Sequence, residues 1–176
     1  MTTAPGSAAP AAEAGRLQRA WAALQQVLDP EVPALSVCDL GIVRDVREDG
    51  ATLEVVLTPT YSGCPATEVI ERAVLDAIDA AGLGPARVTL QRAPAWTTDW
   101  ISEEGRRKLR EYGIAPPAAT RETGTATIRV LPRTPVPCPR CGSNRTERLS
   151  AFGSTACKAL YRCLDCREPF EHFKPI

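Results

Sequence analysis

Residues 138–166 read CPRCGSNRTERLSAFGSTACKALYRCLDC, a stretch that opens and closes on a pair of cysteines two residues apart. Within each pair, Cys138 with Cys141 and Cys163 with Cys166, the short spacer lets a tight turn point both sulfurs the same way. Each pair can therefore supply two thiolates to one tetrahedral ion. The stretch reads as a module folded around a metal. Zinc suits an all-sulfur tetrahedron because it is redox-silent and has no d-electron geometric preference, and a single iron fits the same donors. The separation of the pairs is that of a zinc ribbon. Two disulfides or four free thiols are the competing readings, and the absence of a secretory context speaks against them.

Working outward, 176 residues accommodate one ordinary domain plus a small one, in keeping with a metal-stapled appendage too short to build its own core. Lys+Arg and Asp+Glu both number 21, so there is no global field to draw nucleic acid or an anionic membrane. From Cys138 onward seven basic residues (Arg140, Arg145, Arg148, Lys158, Arg162, Arg167, Lys174) face four acidic ones (Glu147, Asp165, Glu168, Glu171), leaving that module mildly basic. Residues 1–14 are Ala, Pro, Gly, Ser and Thr with one Met and one Glu. They carry neither the basic nor the apolar region of a secretory signal and read as a disordered tail. No apolar run approaches a membrane span, and seven cysteines without a signal point to a reducing, cytoplasmic setting.

Upstream of the ribbon the pattern is that of a small α+β domain. Leu17, Ala20, Trp21, Leu24 and Leu28 recur at helical spacing over 16–28, and Asp29-Pro30 stops them. Residues 42–46 and 53–57 alternate around Glu48-Asp49-Gly50, which predicts a hairpin. A loop, 58–65, leads to a second helix with apolar face Val69, Ile70, Ala73, Val74, Ala77 and Ile78, ending near Gly82, and a third strand follows at 87–91. The order is helix-strand-strand-helix-strand, with helices on one face of a short sheet. Trp96-Thr-Thr-Asp-Trp100 and a charged helix over 102–112 extend it, and 114–137, with five prolines, reads as a linker. The expected organisation is a tail at 1–14, the α+β domain with its Trp-rich extension at 15–113, the linker at 114–137 and the ribbon at 138–176.

Outside the ribbon, Cys64 stands directly before Pro65, a residue favoured at the first helical position, which puts the thiol at the expected N-cap. Two readings are open: a thiolate favoured by the helix dipole and free N–H groups, or a small capping residue of ordinary reactivity. The loop from Asp29-Pro-Glu-Val-Pro33 to Val37-Cys38-Asp39-Leu40-Gly41 gathers a thiol and the carboxylates of Asp29, Glu31 and Asp39. It brings hard and soft ligands within reach of one another if it folds over the second helix, or serves as a rigid connector in which Asp29 and Asp39 cap turns. Cys157 lies six residues before Cys163, too far for a knuckle, and three readings are open: a loop brings it near the metal, it is a free redox-active thiol, or it is a buried small residue. His172 reads as a strand residue, because four thiolates already fill the tetrahedron. Trp96 and Trp100 cover the sheet or dock a partner.

Asp29-Pro-Glu-Val-Pro33, Asp39-Leu-Gly-Ile-Val43, Leu57-Thr-Pro-Thr60 and Gly63-Cys64-Pro65, in this order, resemble the iron-sulfur assembly domain shared by SufT and the cytosolic Fe-S targeting proteins. Pro94-Ala-Trp-Thr-Thr-Asp-Trp100, Lys108-Leu-Arg-Glu-Tyr-Gly-Ile-Ala-Pro-Pro117, Phe152-Gly-Ser-Thr-Ala-Cys-Lys-Ala-Leu-Tyr161 and Glu168-Pro-Phe170 extend the resemblance, over nearly the whole chain, to the PaaD family of phenylacetate-degradation operons. That resemblance implies an accessory component that serves maturation of the phenylacetyl-CoA 1,2-epoxidase, not a catalyst. The implied partners are the epoxidase components, above all the reductase carrying flavin and a [2Fe-2S] cluster and the di-iron oxygenase subunit. The implied cofactors are structural zinc in the ribbon and a transient iron or Fe-S cluster at Cys64, with Asp39 and Glu31 as neighbouring carboxylates. Two chains sharing one cluster through paired Cys64 thiolates, as a homodimer, is left open. The residues agree with a non-catalytic role: there is one histidine, no paired Glu-x-x-His motif for a di-iron site and no Gly-rich dinucleotide fingerprint. Two other readings compete, a docking module that handles no iron and a nucleic-acid-binding ribbon. Neutral charge and the absence of an RNA-reading motif weigh against the latter.

Overall fold

The structure, a computed structural model, describes residues 9–61, 63, 65–118 and 135–176, with side chains from Gly15 onward. The chain divides into two compact units, one up to Ala95 and one from Trp96.

In the first unit α1 (Ala9–Leu24) leads to β1 (Val43–Asp49), β2 (Thr52–Leu57), α2 (Thr67–Ala80) and β3 (Ala86–Leu90). The sheet order is β1-β2-β3, antiparallel across the hairpin and parallel across the α2 crossover. Asp49 pairs with Thr52, so Gly50 and Ala51 form a two-residue loop, and Gly50 takes the positive φ (+61°) that such a loop needs. Alternation decides which strand face is covered: Leu53, Val55 and Leu57 of β2 are buried, with Val46 opposite Val55. Ile70, Val74 and Ile78 of α2 and Ala20 and Leu24 of α1 complete this core. Arg16 ties the layers together. Its Nη2 donates to the carbonyls of Leu83 (2.7 Å) and Ala51 (2.8 Å), its Nε to Leu83, and its Nη1 meets Glu48 at 3.5 Å.

The helices depart from expectation at their ends. Residues 9–14, expected in a disordered tail, are helical, because alanine is the strongest helix former and Pro10 falls in the first turn, where a missing N–H costs nothing. At the other end Leu28 leaves the helix, is 54% exposed and forms an isolated bridge with Ser36. Val69 is also exposed (56%), since the buried stripe of α2 follows positions 70, 74 and 78.

The second unit begins with a short 3-10 turn (Thr98–Trp100) and α3 (Glu103–Tyr112), followed by β4 (Ile114–Ala115), β5 (Thr146–Ser150), β6 (Lys158–Cys163) and β7 (Pro169–Phe173). The four strands run in the order β4-β7-β6-β5. Ser102 caps α3 by accepting from Gly105 N at 2.9 Å, and Gly113 ends it in the left-handed region (φ +93°). The boundary therefore falls between Ala95 and Trp96 and not at the expected 113/114. The cause is pairing: Ile114 and Ala115 join β7, Trp96 packs on Phe173 with ring centroids 6.1 Å apart, and Arg106 donates to the carbonyls of Thr98 and Pro117. Of the expected linker, residues 119–134 lie outside the described residues.

Candidate functional site

The two CxxC turns hang from opposite places in the second sheet. Cys138 and Cys141 flank the turn that precedes β5, while Cys163 ends β6 and Cys166 follows it in the turn to β7. Arg145 O accepts from Leu164 N at 2.8 Å and Glu168 O from Cys163 N at 3.0 Å, which fixes the two knuckles side by side. The four Sγ atoms lie within 4.8 Å of one another, with Cys138 to Cys166 at 3.8 Å and Cys141 to Cys163 at 3.5 Å. A tetrahedral ion with metal–sulfur bonds of about 2.3 Å needs sulfur–sulfur edges of about 3.8 Å, close to the two distances above, so these donors can hold one ion.

The electrostatics lead the same way. Burial raises Cys163, yet the backbone N–H groups of Cys166 and Asp165 and the neighbouring thiols outweigh it and hold this group down at about 7. At Cys166 the Glu168 N–H lowers the value, but desolvation and the other sulfurs push it up to about 12. At Cys141 the Ser143 N–H lowers and the Cys163 sulfur raises, with a net upward shift. Sulfurs this close cannot all ionise beside one another unless a cation shares the site. Cys138 and Cys163 form the buried inner half of the cage, and Cys141 and Cys166 the exposed outer half.

Two other side chains of this unit stand apart from the cage. Cys157 immediately precedes β6 and Cys163 ends it, so the two are separated by a strand length of roughly 20 Å. Its Sγ lies 3.0 Å from Thr155 Oγ1. His172 is buried in β7, edge-on to Tyr161, and desolvation lowers its pKa to about 4, which leaves it neutral. It is a strand residue, as the sequence indicates.

In the first unit Cys64 lies outside the described residues. The N-cap of α2 is Ala66, in helical conformation and without a side-chain cap, so position 64 stands two residues before the cap instead of on it. The carboxylates of the adjoining loop have local partners. Asp29 Oδ1 accepts from the N–H groups of Glu31 (2.9 Å) and Val32 (2.8 Å). Asp39 Oδ2 accepts from Ser36 N while Ser36 Oγ accepts from Asp39 N, both at 3.0 Å, a reciprocal cap across one turn. Glu31 is half-buried beside them. Cys38 is half-buried, and desolvation, with the Asp39 charge added, pushes its thiol up to about 12; it is a poor thiolate. Thr58 N donates to Ile42 O at 2.8 Å, bringing the start of the 58–65 loop against the end of the Asp39 segment. The Thr58 hydroxyl is buried and has no partner among the described residues. Thr58 belongs to the Leu57-Thr-Pro-Thr60 motif, but a threonine at a strand end carries no distinctive chemistry in sequence, and only the fold sets it apart.

Among the described residues no helix is long and apolar enough to cross a membrane.

Fold and cage together define a class: a small α+β domain joined to a β-ribbon with a four-cysteine metal site. Residues 17–90 match the family described as iron-sulfur cluster assembly protein, and residues 122–174 match the PaaD zinc beta ribbon domain. An Escherichia coli K12 protein, provisionally named as the fourth-lettered (D) subunit of 1,2-phenylacetyl-CoA epoxidase, is 53% identical over 156 residues, 89% of this chain and 91% of that protein. The chain belongs to the PaaD family. A Porphyromonas gingivalis W83 protein named Fe-S protein maturation auxiliary factor is 35% identical over 89 residues, 49% of this chain and 83% of that protein. The crystal structure of a DUF59 domain from Bacillus anthracis superposes with a TM-score of 0.52 at 24% identity, covering 56% of this chain and 95% of that one, a likeness of fold.

Proposed function

We propose that this chain is an accessory maturation component of a phenylacetyl-CoA 1,2-epoxidase, assisting insertion of iron or an Fe-S cluster without catalysing the oxygenation itself. The observation that carries the reading is the identity with the E. coli epoxidase protein over nearly the full length of both chains. The iron-sulfur assembly match over residues 17–90 supplies the second support. In this reading Cys64 is the thiol that transiently holds iron or a cluster, in the cytoplasm, on its way to the flavin reductase or the di-iron oxygenase. Glu31 and Asp39 are the carboxylates this reading assigns to it, Asp39 with one oxygen already engaged by Ser36 N. Iron or the cluster is cargo here. Zinc is the resident ion, held by Cys138, Cys141, Cys163 and Cys166, and its contribution is structural: four thiolates saturate a tetrahedral ion and leave no open position for chemistry.

The test is to supply epoxidase-producing cells that lack this protein with wild type or Cys64→Ser and to measure iron in the purified oxygenase and reductase. The expected result is client iron restored by wild type and not by Cys64→Ser, with the variant's circular dichroism unchanged. Equal restoration by both proteins overturns iron handling at Cys64 and favours the docking-module reading.

A further inference from the structure

Neither family match reaches residues 91–121, yet the structure builds part of that segment into the wall of the cysteine cage. The inner ligands Cys138 and Cys163 share one apolar cluster with Phe170 and Ala115, flanked by Val136 and Tyr161. Ala115 is fully buried, 23 residues before the first ligand (138 minus 115), and it arrives there because β4 pairs in parallel with β7, Ala115 opposite His172. The second contact comes from the end of α3. A Cβ on Gly113 would lie 3.2 Å from Nη2 and 3.5 Å from Cζ of Arg140, so the guanidinium lies against the bare α-carbon of the glycine. Arg140 directly precedes Cys141, the exposed ligand of the first knuckle. The carbonyl end of a helix also favours a cation electrostatically.

We infer that the segment 96–118 is an integral part of the metal centre, in which Ala115 and the Gly113–Arg140 contact are positioning elements that hold the first cysteine knuckle closed on the ion. The inference rests on the proposed reading of the cage as a zinc site. Release of an ion from four thiolates begins when one ligand swings away, and the exposed Cys141 is free of the packing that immobilises Cys138. Arg140 is its neighbour, and with the guanidinium seated on Gly113 the turn has less room to open. From the inner side, Ala115 sets how closely Cys138 and Cys163 approach, because a methyl fits that wall and a larger group does not. Groups that orient ligands from outside govern metal retention almost as strongly as the ligands do.

The experiment uses the full chain as wild type, Ala115→Val, Arg140→Lys and, as a control on exposed β5, Arg148→Ala. Zinc per chain is counted first, and release of zinc to excess colorimetric chelator is then timed at full loading. Arg140→Lys keeps the charge but cannot lay a planar fork on the glycine. The expected result is release accelerated about tenfold in Ala115→Val and Arg140→Lys, with Arg148→Ala near the wild-type rate. Wild-type rates in both test variants at full loading overturn the inference, as does equal acceleration in all three. If Ala115→Val does not fold, Arg140→Lys decides alone. A wild-type chain that binds no zinc even when zinc is added overturns the cage reading itself, an outcome the initial metal count separates from the others.

Discussion

His172 is the residue whose surroundings make a signed prediction. Burial between strands holds its folded pKa at about 4, below the ordinary 6.5. The folded state therefore refuses a proton that the unfolded chain accepts. The contribution is fully present above pH 6.5 and is lost as the pH falls from 6.5 towards 4, amounting to about 3 kcal/mol across that window. Glu171, which keeps its folded pKa low despite burial through Ser154 and Lys158, adds a loss of the same sign only below about 4.5. Urea denaturation of wild type and His172→Gln between pH 7 and 5 checks this. The variant is expected to lose stability less steeply, whereas parallel slopes contradict the assignment; thiolate protonation at the cage is common to both proteins and cancels in the difference. At this scale the four cage cysteines were legible because identical ligands in spaced pairs leave few alternatives. Asp39 was open in sequence between a ligand and a turn cap, and its reciprocal hydrogen bonds with Ser36 show the cap. Ala115 was not legible, because an alanine in a cage wall differs in sequence from no other alanine.

Among the elements, α1 depends on one side chain more than its length suggests. Arg16 joins it to the hairpin turn at Ala51 and to the α2–β3 connection at Leu83 by charge-assisted hydrogen bonds to carbonyls. Arg16→Ala is expected to lower the stability of the first unit by about 2 kcal/mol, read by chemical denaturation; a change of a few tenths contradicts that role. The start of β2 and all of β3 were legible because apolar and polar residues alternate along them, whereas β1, which an irregularity between Val43 and Asp45 takes out of alternation, was legible through the Glu48-Asp49-Gly50 turn. β4 was not: two residues followed by Pro116-Pro117 contain no period, and their strand character comes wholly from β7. The N-cap of α2 was misplaced for a related reason. Pro65 marks a turn two residues ahead of the helix rather than its first position, so Ala66 closes the end that Cys64 was expected to cap.

For the molecule as a whole, the two family matches fall on different units, residues 17–90 within the unit up to Ala95 and residues 122–174 within the unit from Trp96 that carries the four-cysteine cage. The second unit joins its strands around four sulfurs, and substitution of a ligand there is expected to unfold it locally. The first unit has an apolar core of its own, with Leu24, Leu53, Val55, Leu57, Val74 and Ile78 buried, so Cys64→Ser is expected to leave its fold intact. The measurement that tests the account most directly is the zinc, iron and acid-labile sulfide content of anaerobically purified protein, wild type beside Cys64→Ser and Cys163→Ser. Zinc is expected in wild type and Cys64→Ser but not in Cys163→Ser, with iron and sulfide present in wild type and absent from Cys64→Ser. Zinc alone in wild type and Cys64→Ser, with no iron or sulfide in either, would contradict cluster handling at Cys64.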